Sequence, residues 1–151
     1  MANSLPAIVS GFMTGIVPAG LKCFVVALSG GADSVALLSL CTRWSRAQGD
    51  RPRCEALHVH HGLRGEEADR DARHCAQVCS QLQVPLHVVS EPIEMAASSP
   101  GVSIETAGRD ARRRRFAEIC RARSTSLILT GHHGDDQAET VLMRIVRGTG
   151  L

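Results

Sequence analysis

A short apolar run, Cys23 to Leu28, passes straight into Ser29-Gly30-Gly31-Ala32-Asp33-Ser34. A helical pattern starts at Asp33 and continues to Ala47, with Val35, Leu38 and Trp44 at apolar positions. The run has β-branched residues at its centre and turn residues at both ends, so it reads as a buried strand. A buried strand that hands over to a helix through so short a turn leaves few options. The helix must fold back and cover the sheet, and the next strand must return parallel to the first.

The rest of the chain repeats that alternation. Glu55 to His60 is a second strand, and Glu66 to Leu82 a helix with Ala72, Cys75, Ala76, Cys79 and Leu82 expected on one face. Pro85 opens a third strand, Leu86 to Val89, and residues 91–102 read as a loop rich in proline and serine. Ile104 to Arg123 is a helix, Leu127 to Thr130 a fourth strand, and Asp135 to Arg147 a fourth helix. Residues 1–20 read as a short helix and a turn before the fold begins at Lys22. The expected fold is α/β: a Rossmann-like parallel sheet with helices on both faces. Aromatics make up only 3% of the chain and tyrosine is absent, so aliphatic side chains must fill the core, as suits such a sheet.

The length of 151 residues is that of one domain. No apolar run approaches the ~20 residues of a membrane span, and the start lacks the basic region of a secretory signal. The six cysteines include no CxxC pair, and most sit among apolar residues. They read as buried free thiols of a reducing compartment, and the expected location is the cytoplasm. The formal charge is +2, yet seven arginines fall between Arg109 and Arg123. That is a local basic block in a nearly neutral protein.

In a parallel sheet, ligands bind beyond the carboxyl ends of the strands. Three strand ends carry polar motifs: Ser29 to Ser34, His60 to Arg64, and Gly131 to Gln137. In the first, Gly30 and Gly31 let the backbone fold closely around a bulky anion. The helix that follows aims free amides and its positive end at that anion. Ser29 and Ser34 add hydroxyls, and Asp33 calls for a magnesium ion between itself and a phosphate. The simpler reading is a glycine-rich turn capped by Asp33. No lysine follows the glycines, so this is not the GxxxxGK[ST] phosphate loop.

In the second motif, His58 and His60 point to one side of a strand and Val59 to the other. Neither carboxylate nor cysteine stands nearby at metal-ligand spacing, and Arg64 is the better candidate for contacting phosphate. On the arginine helix, Glu105, Arg109 and Arg112 share a face. Either Arg109 or Arg112 can turn to the ligand rim, while Arg113 to Arg115 read equally well as a solvated face. In the last motif, His132 and His133 close a strand, where they can stabilise charge developing on a phosphate. Asp136 and Glu139 share a helix face and can bind an ammonium group and accept its proton.

SGGADS after a strand resembles the pyrophosphate-loop signature of the ATP-pyrophosphatase superfamily. With HHGLRGEEADRD, the arginine helix, TGHHGDDQAET and RGTGL, the chain from Lys22 to Leu151 resembles the tRNA(Ile)-lysidine synthetase family. The resemblance implies a PP-loop (adenine nucleotide alpha hydrolase-like) domain over residues 22–151, preceded by a lead-in over 1–21. Against family length it implies truncation at the C-terminus, with the tRNA-binding domains absent. It implies ATP and Mg2+ as cofactors, and L-lysine and the isoleucine tRNA with a CAU anticodon as partners.

By the same resemblance the enzyme adenylates the C2 oxygen of the wobble cytidine, and the side-chain amine of lysine then displaces AMP to give lysidine. Ser29, Gly30, Gly31, Ala32, Asp33, Ser34 and Arg64 would hold ATP, with Asp33 at the magnesium. Arg112 and His132 would act around the phosphates and the adenylate. Asp136 and Glu139 would recognise the lysine. Family members commonly have Arg-Tyr where this chain has Arg112-Arg113, which keeps Arg109 in contention.

Three other readings share the loop. A tRNA thiolation enzyme of the same superfamily usually needs paired cysteines, and Cys75 and Cys79 are CxxxC within a helix. A nucleotide-binding fragment without transferase activity is the second. A small-molecule amide synthetase is the third, and it leaves RGTGL and the arginine helix unexplained.

Overall fold

The Cys23–Leu28 run becomes β1 (Cys23–Ala27), a central strand of the sheet. The computed structural model describes residues 5–47, 50–60, 66–90 and 104–132. Among them β1 is joined by β2 (Arg53–His60), β3 (Leu86–Ser90) and β4 (Ile128–Thr130). All pairings are parallel, and the order is β3-β2-β1-β4. The helices are α1 (Leu5–Ile16), α2 (Ala32–Arg46), α3 (Glu66–Gln81) and α4 (Ile104–Arg123). The expected helix at Asp135 to Arg147 lies outside the described residues.

Strand alternation sorts the side chains onto two faces. Phe24, Val26, Cys54 and Ala56 join Leu38, Cys41 and Trp44 of α2 and Cys75 and Cys79 of α3 in one buried core. The Phe24 and Trp44 rings meet edge-on at 6.1 Å, a favoured aromatic geometry. On the other face Glu55 reaches the C-terminal end of α4 through Arg123, so helices cover both sides of the sheet. Of the residues expected on the buried face of α3, Ala76 is instead exposed. It sits about 100° around the helix from Cys75, far enough to leave the sheet.

Two local differences from the sequence reading have physical causes. β2 starts at Arg53 rather than Glu55, because the Arg53 amide donates to the Lys22 carbonyl at 3.0 Å; backbone pairing extends the strand past a polar side chain. The leading segment forms a full 12-residue helix, α1. Its Met13 is 1% exposed and touches Cys41, so this helix contributes directly to the core.

The chain order fixes where a ligand can sit. From β1 the chain moves outward to β2 and β3, then crosses back to place β4 on the other side of β1. That reversal opens a crevice at the carboxyl ends of β1 and β4, where the Ser29–Ser34 loop and His132 lie.

Candidate active site

The loop after β1 is held by its own hydroxyls. The Ser34 hydroxyl donates to the Gly31 carbonyl at 2.8 Å and accepts from the Ser29 amide at 3.3 Å. The Ser29 hydroxyl accepts from the Gly31 amide at 3.3 Å. Gly30 has φ +93, a left-handed conformation that side chains rarely adopt. Gly31 is the N-cap of α2 and provides no side-chain cap. The turn is therefore not capped by Asp33, which sits inside the helix's first turn. The start of α2 presents uncapped amides and a positive dipole end, the arrangement that binds phosphate.

Beyond the loop lies a cavity of about 370 Å3, within the range of nucleotide-sized sites. Ser29 and Ser34 line it; Gly30, Gly31, Ala32 and Asp33 are not among its lining residues. Arg112 lines the facing wall from α4, and His132 closes the end from β4. Arg112 is half-buried. His132 is exposed and pairs its Nδ1 with the Thr130 hydroxyl at 3.1 Å. The structure thus brings Ser29, Ser34, Arg112 and His132 together around one space. Arg64, His133, Asp136 and Glu139 lie outside the described residues, as does the side chain of Arg109.

Asp33 is an exposed carboxylate one residue before Ser34, which lines the cavity. A hard oxygen donor there fits a magnesium ion shared with phosphate oxygens. Among the described residues no group of three His, Cys, Asp or Glu side chains is arranged to hold a metal on its own.

Part of the wall escaped the sequence reading. Leu57, Val59 and Phe116 line the cavity and give it an apolar side suited to a flat base. Phe116 could have been found, because it stands four residues after Arg112 and shares its helix face. Leu57 and Val59 carry no local signal. His58 and His60 both reach the cavity, as do Leu57 and Val59 beside them. His58 is 5% exposed, and its Nδ1 lies 2.8 Å from the Leu28 carbonyl. A carbonyl only accepts, so Nδ1 carries the proton. His60 is tied to Asp69 at 3.0 Å.

Cys75 packs its Sγ 3.4 Å from the His58 Nδ1, yet the cysteines are not suited to nucleophilic or metal chemistry. Burial pushes Cys41 and Cys75 up to about 11 and Cys54 up to about 12. Such thiols stay protonated at neutral pH and make poor nucleophiles or metal ligands.

A family model described as a PP-loop domain matches residues 7–151. The chain belongs to the PP-loop family. Curated relatives of this PP-loop domain include tRNA(Ile)-lysidine synthases. That of Pseudomonas fluorescens (strain Pf0-1) is 44% identical, over 87% of this chain and 28% of the relative. That of Bradyrhizobium diazoefficiens is 41% identical, over 84% and 34%. That of Pseudomonas aeruginosa is 46% identical, over 83% and 26%. The chain therefore spans about a quarter to a third of the length of these relatives.

Among solved structures, a U34-tRNA thiolase from Methanococcus maripaludis with a [4Fe-4S] cluster is 16% identical with a TM-score of 0.74, over 93% of this chain and 50% of that one. An NAD+ synthetase from Burkholderia pseudomallei is 15% identical with a TM-score of 0.53, over 97% and 72%. At these identities the likeness is one of fold. It agrees with the parallel α/β PP-loop architecture read from the sequence.

Proposed function

We propose that this chain is the ATP-pyrophosphatase part of a tRNA(Ile)-lysidine synthase. One observation carries the reading: Ser29 and Ser34, at the turn into α2, line a single cavity together with Arg112 and His132. A triphosphate in that space meets serine hydroxyls near the start of a helix and cationic or hydrogen-bonding side chains in the same cavity. The names of the curated relatives support the choice of tRNA as the substrate class.

In this reading the cytidine O2 attacks the α-phosphorus of ATP, and pyrophosphate leaves from the amide-lined loop. The lysine side-chain amine then attacks C2, and AMP leaves with the oxygen. Ser29 and Ser34 orient the phosphates, Arg112 and His132 stabilise charge on the transferring group, and Leu57, Val59 and Phe116 offer an apolar surface to a base. Asp33 would hold Mg2+, which when bound neutralises phosphate charge. By resemblance, Arg64 assists at the nucleotide, and Asp136 and Glu139 bind the lysine ammonium and accept its proton.

No helix among the described residues is long and apolar enough to cross a membrane. The buried free thiols support a reducing compartment, and we assign the cytoplasm.

The short span relative to the curated proteins favours a second outcome for the isolated chain, nucleotide binding without transfer. Titration with ATP and an assay of lysine incorporation into isoleucine tRNA separate the two. Measurable ATP binding without selective lysidine formation is expected. Failure to bind ATP with magnesium present would overturn the assignment of the cavity.

A further inference from the structure

The seven arginines between Arg109 and Arg123 face only two acidic residues in the same stretch, Asp110 and Glu118. The structure divides them by task. Arg123 is committed to the Glu55 carboxylate. Arg115 donates to Glu118 at 2.7 Å, and Arg112 belongs to the cavity wall. Arg113, Arg114 and Arg121 are exposed. Arg114 and Arg121 are seven residues apart, which puts them on one helix face about 10 Å from each other. Among the described residues no carboxylate partner is found for Arg113 or Arg121. The hydrogen bond described for Arg121 goes from its Nε to the Ala117 carbonyl of its own helix, at 3.2 Å.

We propose that the outer face of α4 grips the phosphate backbone of RNA through Arg113, Arg114 and Arg121. Arg112 then continues the track into the cavity. Like charges fixed on one rigid helix favour a polyanion that spans them, and the guanidinium fork matches phosphate oxygens. A membrane surface fits less well. A helix lying on lipid sets large apolar side chains beside its cations, whereas the large apolar residues here, Phe116 and Ile119, are half-buried. The exposed companions of the arginines are Ala117, Ala122 and one carboxylate, Glu118, which Arg115 holds. The inference rests on the proposed function only in taking the polyanion to be RNA.

The test uses the 151-residue chain, a fluorescently labelled RNA stem–loop and a KCl series, read by anisotropy. Each phosphate contact removed lowers the slope of log affinity against log salt by about 0.7 to 0.9. Arg113→Gln and Arg121→Gln are each expected to do so and to weaken binding several-fold. Arg73→Gln, an exposed arginine on α3, is expected to leave the slope unchanged. ATP binding, measured on the same variants, is expected to stay at the wild-type level. An equal loss from Arg73→Gln overturns the proposal, because general charge would then explain the binding. So does the absence of RNA binding by the wild type, or arginine-dependent binding to anionic lipid vesicles in its place. Loss of ATP binding by the wild type would count against the cavity assignment and leave the arginine face standing.

Discussion

Gly131 approaches Ser34 so closely that a β-carbon on it would stand 3.0 Å from the Ser34 amide nitrogen, with the Asp33 carbonyl carbon at 3.1 Å. These are backbone atoms at the start of α2, so no side chain can swing aside. The residue that follows β4 and the first turn of α2 are in direct contact.

Gly131→Ala should therefore push β4 away from α2. The expected cost is about 1–3 kcal/mol of stability, with ATP affinity reduced at least tenfold. Gly11→Ala is the counterpart: it lies within α1 and a β-carbon there meets nothing within 4 Å. That change should stabilise by about 0.5–1 kcal/mol. Denaturation midpoints and an ATP titration check both; equal effects from the two substitutions would refute the close-approach argument.

Asp33→Ala should leave the fold intact, since Asp33 is exposed. Magnesium-dependent adenylation should fall by about a hundredfold or more in a protein of full family length. Pyrophosphate release is the measurement. Release at the wild-type rate would remove Asp33 from the site.

Replacing Asp136 and Glu139 with their amides tests the lysine site. A site built on two carboxylates prefers a cationic side chain. In a protein of full family length the lysine requirement should rise at least tenfold while the ATP requirement changes little. A parallel rise in both would move these carboxylates to the metal.

Glu55 predicts an acid sensitivity. Burial alone pushes its carboxyl up, but hydrogen bonds from Arg123 and His87 outweigh that and hold it below its ordinary 4.5. A carboxylate whose folded pKa is depressed stabilises the protein above its unfolded pKa, and the contribution fades as pH falls through the folded value. Wild-type stability should fall as pH drops from the ordinary 4.5 through the lowered folded value, and Glu55→Gln should flatten that profile. At neutral pH the substitution should lower stability, because it removes the charge from a buried carboxylate that holds Arg123 and His87. Denaturant midpoints across pH give the answer, and a variant with the wild-type acid profile would contradict it.

The sheet was legible because each strand and helix carries its own periodicity. The Ser29–Ser34 loop was legible because it is a local motif at a strand end. Other features depend on packing and leave no mark nearby. Glu55 sits within a strand that is otherwise largely apolar, and its partners His87 and Arg123 are 32 and 68 residues away. Leu57 and Val59 look like ordinary strand residues until α4 places Phe116 beside the same cavity. The arginine helix could be counted from the sequence but not apportioned. Only the fold tells Arg123, paired with the buried Glu55, from Arg121 in water.

The strand order has a consequence for how the site comes into being. Val25 of β1 pairs with Ile128 of β4, so the two halves of the cavity are separated by roughly 100 residues of chain, a long-range closure of the kind that slows folding. A polypeptide emerging from the ribosome makes the Ser29–Ser34 loop early and completes its opposite wall only when β4 arrives. Until then the loop has no Gly131 against it and no His132 across from it. Nucleotide binding is thus a late event in the birth of the chain. A ligand that bound only the finished crevice would draw the final strand into place.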